Sequence, residues 1–186
     1  KAVQAVLQKY TGRELPRAFS LLIGNIAAAR AGVRRLENQV DYNRVWPGAD
    51  DTTHPESAIM ARVVEEMKVR KVFASIDIHN NTGFNPHYAC INRLDPHFLH
   101  LARLFSRIVV HFIRPPGVQS AAFADICPAI TVECGKAGAG AADNHAESLV
   151  EAALHLDHFP EHPLHQQELD LYHTVATVKV PESIDF

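Results

Sequence analysis

The chain has 186 residues, 47% of them hydrophobic and 21% charged, the balance of a folded domain with a sizeable core. Its formal net charge of −3 arises from interspersed signs, which excludes the basic footprint of a nucleic-acid or anionic-membrane binder. No apolar run approaches the length of about 18 residues that a membrane helix needs, and Lys1-Ala2-Val3-Gln4 lacks the pattern of a secretory leader, so the sequence reads as a cytoplasmic protein without a membrane partner.

Apolar positions at Ala2, Val3, Val6, Leu7 and Tyr10 follow helical spacing, with Gly12 just beyond. Phe19-Ser20-Leu21-Leu22-Ile23 then reads as a buried strand closed by Gly24. A helix over Ser57–Val69 follows Pro55, and Val72–Ile78 forms the next strand, running directly into His79. His87–Ile91 is a further strand, Pro96–Arg107 a helix, and Ile108–Ile113 a β-branched run stopped by Pro115-Pro116. Ala129–Val132, bounded by Pro128 and Gly135, has the character of an internal strand, and Asn144–Leu156 is a helix. This alternation predicts an α/β fold with a mixed, largely parallel sheet flanked by helices on both faces. Residues 1–157 form that domain, the His- and Pro-rich stretch 158–168 a linker, and 169–186 the start of a truncated C-terminal β region. Cys90, Cys127 and Cys134 are far apart and odd in number, which suits free thiols.

Three segments carry candidate chemistry. In Ile76-Asp77-Ile78-His79-Asn80-Asn81-Thr82-Gly83 a histidine ends an apolar strand before a polar loop, the rim position where open α/β sheets bind ligands and metals. Asp77 lies two residues before His79, on the same face of an extended strand, either orienting the imidazole or capping the loop. Asp41-Tyr42-Asn43-Arg44 has no apolar period, and a guanidinium beside an amide suits a substrate carboxylate; Arg34 and Arg35 add positive charge upstream. The competing reading is a solvated surface loop. Glu133 follows Ile130-Thr131-Val132 in an internal strand, and Gly135 lets the chain turn directly afterwards, leaving the carboxylate at the strand's exit. A carboxylate there serves as a general base or as half of a buried salt bridge, for example with Lys136.

In order and spacing, these segments resemble the aspartoacylase and succinylglutamate desuccinylase family of the zinc carboxypeptidase superfamily. The similarity runs from about Leu21 to Gly135 and includes Gly24-Asn25-Ile26-Ala27, which resembles the family's turn before the Asn-Arg loop. The resemblance implies Zn2+, a small-molecule acyl amino acid substrate, and hydrolysis of an N-acyl amide by water activated at the metal. Carried over by motif, His79 is a zinc ligand, Glu133 the catalytic glutamate, and Asn43 with Arg44 the carboxylate-binding pair. Arg35 is matched to the oxyanion-stabilising arginine, with Arg34 beside it as the alternative and as a further substrate contact.

One departure stands out. The family's His-x-x-Glu zinc pair should precede the first helix, and this sequence starts in that helix, so the pair is expected upstream of Lys1. His158-x-x-Glu161 and His165-x-x-Glu168 have the spelling but follow Glu133, and the prolines among His155, His158, His162 and His165 break any continuous helical strip. Competing functions are a metallocarboxypeptidase and a non-catalytic carboxylate-binding domain without a complete metal site. The sequence leaves the oligomeric state open.

Overall fold

The structure, a computed structural model, describes residues 2–81, 83–136, 140–176, 178 and 181. In chain order the helices are α1 (Ala2–Lys9), α2 (Ile26–Ala31), α3 (Pro55–Val69), α4 (Pro96–Phe105), α5 (Gln119–Phe123) and α6 (Gly140–His155). The strands are β1 (Ser75–Asn81), β2 (Tyr88–Ile91), β3 (Ile108–His111), β4 (Ala129–Lys136) and β5 (Asp170–His173). They form one sheet in the order β1-β4-β2-β3-β5. The pairs β1–β4, β2–β3 and β3–β5 are parallel and β4–β2 is antiparallel, the mixed, largely parallel sheet that the sequence predicts.

Side-chain alternation divides the central strands into two faces. Ile130, Val132 and Cys134 of β4 are buried with Ala89 and Ile91 of β2 in the main core. On that side Ile78 packs against Val6 of α1 and Val150 and Leu154 of α6. The opposite face carries Asp77, His79, Thr131 and Glu133, and α5 lies on it, because Thr131 Oγ1 donates to Ser120 Oγ at 3.0 Å. Helices therefore pack on both faces, and the Asp77, His79 and Glu133 side chains of the polar face remain partly open to solvent. No helix among the described residues is long and apolar enough to cross a membrane.

Most elements start and stop where local chemistry dictates. Asp95 caps α4 by accepting from His97 N–H, with Pro96 in the first turn, and Pro55 opens α3. Asn25 caps α2, and Gly32 closes it in the left-handed conformation. The sequence reading gave neither α2 nor α5 as a helix.

Three expectations need correction. Phe19–Ile23 is not a strand: Ser20–Ile23 are exposed and pair with no strand, since an apolar run becomes a strand only where a neighbour accepts its ladder. Glu133 does not sit at a strand exit, because β4 continues to Lys136 through a bulge, where His79 pairs with Glu133 but Asn81 with Lys136, and Gly135 takes φ +78°. Finally, the segment expected to open a separate β region supplies, at Asp170–His173, the fifth strand of the same sheet. The stretch 158–165 has no regular structure, and Phe159 within it is buried and stacks on Phe73 with centroids 4.7 Å apart. His165-x-x-Glu168 is a helix cap, with Glu168 Oε2 accepting from His165 N–H at 2.8 Å.

Candidate functional site

The site is built where β1 and β4 run side by side. Parallel register pairs Asp77 with Thr131 and His79 with Glu133, so all four side chains rise from one face. Antiparallel register on the other side of β4 adds Tyr88 opposite Glu133 and Cys90 opposite Thr131. Five ionisable groups thus share one polar surface by virtue of backbone hydrogen bonding alone.

His79 is held from below. Its Nε2 lies 2.9 Å from Asp77 Oδ2, so in the neutral ring Nε2 carries the proton and donates it. The same carboxylate oxygen accepts from Asn43 Nδ2 at 3.3 Å, and the 3.3 Å approach of that amide to Nε2 shares no proton. Nδ1 is left with its lone pair 3.9 Å from Glu133 Oε1. A lone pair facing a carboxylate requires positive charge between them, either a proton on Nδ1 or a cation. Glu133 Oε2 is buried without a hydrogen bond of good geometry, and the amide of Asn81, likewise unsatisfied, is near enough to favour the ionised carboxylate.

Burial dominates the electrostatics of both groups. It works against the imidazolium of His79, but the hydrogen-bonded Asp77 carboxylate, with Glu133 beyond it, outweighs that penalty and raises the histidine above its ordinary value. Burial likewise pushes the Glu133 carboxyl above the usual carboxylate range, assisted by Asp77 and opposed by His79 and Arg34. Tyr88, desolvated beside Glu133, is pushed up to about 12 and remains a neutral phenol.

The Asn-Arg loop reaches this surface through Asn43. Its Oδ1 accepts from Gln119 N–H at 2.9 Å while its Nδ2 donates to Asp77, so the amide connects the start of α5 to the histidine's partner. Arg44 is exposed, and its guanidinium donates to the carbonyl of Asn43. Arg34 gives two N–H bonds to Asp41 Oδ2, at 3.1 and 2.7 Å, and its charge is felt at both His79 and Glu133. Arg35 is exposed and donates to the Gln39 carbonyl at 3.1 Å. The structure therefore brings His79, Glu133, Asn43 and Asp77 together, with Arg34 in electrostatic range.

Several contributors escaped the sequence reading. Gln119, whose Nε2 donates to Ser75 Oγ, stands among unremarkable neighbours and gave no signal. Tyr88 and Thr131 had one, the alternation of polar residues two apart that matches Asp77 and His79 across the sheet.

The donors suit a cation in part. Nδ1 of His79 with its free lone pair and the unpartnered Oε2 of Glu133 are atoms that a divalent metal would satisfy. Among the described residues, no group of three or more His, Cys, Asp or Glu side chains converges to hold a metal ion.

No family model and no curated protein matches the sequence. Its fold is similar to that of solved structures. Against the succinylglutamate desuccinylase from Chromobacterium violaceum the TM-score is 0.72 at 18% identity, covering 99% of this chain and 66% of that one. Against the succinylglutamate desuccinylase from Vibrio parahaemolyticus it is 0.61 at 17% identity, covering 89% and 54%. Against the product-bound ectoine utilization protein EutE (DoeB) from Ruegeria pomeroyi it is 0.55 at 17% identity, covering 77% and 47%. The chain thus spans at most 66% of the length of these three structures, and the likeness shows the fold.

Proposed function

We propose that this chain is the α/β part of a deacylase of the aspartoacylase and succinylglutamate desuccinylase family, a zinc-dependent hydrolase acting on the amide bond of an N-acyl amino acid. The observation that carries the reading is the pairing of His79 Nδ1 with a buried, incompletely satisfied Glu133 carboxylate on adjacent strands. The desuccinylase fold of the structural neighbours supports it.

His79 would hold the zinc through Nδ1, with Asp77 fixing the ring's tautomer through Nε2. Zinc, when bound, supplies a Lewis acid that makes water nucleophilic near neutral pH. Glu133 takes the proton from the attacking water and delivers it to the departing amine; a carboxyl raised by burial both accepts and releases that proton readily. Arg34 stabilises the negative charge that develops on the carbonyl oxygen, a role its influence at both His79 and Glu133 favours over Arg35. The substrate carboxylate falls to Arg44, whose guanidinium is exposed beside the site, while the amide of Asn43 is engaged by Asp77 and Gln119 and positions them.

The test is amine release from N-succinyl and N-acetyl amino acids by the protein as its gene encodes it, with added zinc and with a chelator. Zinc-dependent release supports the proposal. Cleavage of C-terminal residues from peptides without N-deacylation would replace it with a carboxypeptidase, and carboxylate binding without turnover would replace it with a binding domain.

A further inference from the structure

A second pair of nitrogen donors lies at the far edge of the sheet, away from the site above. His111 ends β3 and His173 ends β5, and the two are register partners in a parallel ladder. Their rings are stacked, 26° from parallel with centroids 4.9 Å apart, and the two Nδ1 atoms are separated by 2.9 Å. That separation is an imidazole–imidazole hydrogen bond, one ring donating its Nδ1–H to the lone pair of the other, and a cation that displaces the shared proton would take both nitrogens as ligands.

We propose that His111 and His173 form a binding site for a divalent late transition-metal ion, Cu2+ or Ni2+, that staples β5 to β3. A metal about 2.0–2.1 Å from each nitrogen closes an N–metal–N angle of about 90° across the 2.9 Å gap, whereas tetrahedral ligation needs a gap of about 3.3 Å. A right angle belongs to neighbouring positions of square-planar or octahedral ions, which selects Cu2+ and Ni2+ over tetrahedral Zn2+. Water completes the coordination, as among the described residues no third His, Cys, Asp or Glu joins the pair.

The backbone presents the donors already aligned. Thr174 N–H donates to the His111 carbonyl at 3.0 Å, one residue past the pair, so the rung carrying both rings is fixed before any metal arrives. The strand being held needs the support. All four residues of β5 are exposed, and its only ion pair among the described residues is Arg107 with Asp170, 3.9 Å apart and open to solvent.

Equilibrium dialysis of the intact, zinc-loaded protein against Ni2+, with Cu2+ electron paramagnetic resonance, tests the site without any hydrolysis assay, so its outcome is separate from that of the proposed function. Wild-type protein and the His79→Gln variant should each take up a Ni2+ that binds about tenfold or more weakly in His173→Asn, because one imidazole is lost. The Cu2+ spectrum should show two coupled nitrogens, falling to one in His173→Asn, and Ni2+ should raise the Tm of wild type but not of His173→Asn. His173 is exposed on an edge strand, so that variant retains the fold, which circular dichroism verifies. Equal Ni2+ uptake and an equal Tm increment in His173→Asn would overturn the proposal, as would a two-nitrogen signal that disappears in His79→Gln and persists in His173→Asn.

Discussion

His79 on β1 and Glu133 on β4 face each other as partners in a parallel ladder, with Nδ1 and Oε1 3.9 Å apart. The backbone sets this separation, so replacing either side chain removes a function without moving its partner. Under the proposed function, Glu133→Gln should keep the fold and wild-type zinc uptake but lower hydrolysis by about 10²- to 10⁴-fold, the usual contribution of a positioned general base. His79→Gln should lose both zinc and hydrolysis. Metal analysis beside the N-deacylation assay separates the two, and full activity in Glu133→Gln would sink the mechanism.

Asn43 connects three elements through a single amide. Asn43→Ala leaves the Gln119 N–H without its acceptor and Asp77 with only the His79 donor, in a half-buried setting. The expected cost is about 1–3 kcal/mol of stability, read from the urea midpoint, together with reduced kcat as His79 loses its brace.

Gly117 touches the same loop from the other side. Its φ of +72° is unfavourable for any residue with a side chain, and a Cβ there would meet the Arg44 carbonyl oxygen and the Ala49 Cβ, each at 2.7 Å. Gly117→Ala should therefore destabilise the protein by about 1–3 kcal/mol and displace the Asn43–Arg44 loop. Denaturant unfolding and substrate KM check the two effects, and a variant with unchanged stability would count against this packing.

How far the sequence disclosed this site depends on which interactions hold each part. The strands ending in His79 and containing Glu133 were legible because their apolar residues bury against the core whatever their neighbours are. That they are adjacent and parallel is seen only in the register between them. The antiparallel insertion of β2 between β4 and β3 left no local trace, since hydrogen-bonding direction is not written in side chains. Phe19–Ile23 misled for the same reason: pattern reports apolarity, but pairing decides a strand. The different settings of Arg34 and Arg35 were equally beyond local reading, because they turn on Asp41, seven residues on, holding the guanidinium of Arg34.

A pH effect on stability should arise away from the site. His87 stacks on Phe105 with centroids 6.0 Å apart and lies tilted against His145 at 4.5 Å, and burial, reinforced by His145, lowers its pKa below the ordinary 6.5. The unfolded chain then binds the proton more readily than the folded one. Its contribution to stability is fully present above pH 6.5 and is lost as pH falls through 6.5 toward the depressed folded value. The Tm of wild type should fall more steeply below pH 6.5 than that of His87→Gln, and parallel profiles would refute the assignment.

The bulge at Gly135 turns β4 into a counted segment. One additional residue between the partners of His79 and Asn81 shifts the alternation at the end of the strand, so that Lys136 stands opposite Asn81. A one-residue deletion at positions 134–136 would restore an unbroken ladder and place a different residue opposite Asn81. Length variation is thus tolerated in the exposed loops around the site and forbidden in these three residues, much as a coding frame tolerates substitution but not slippage.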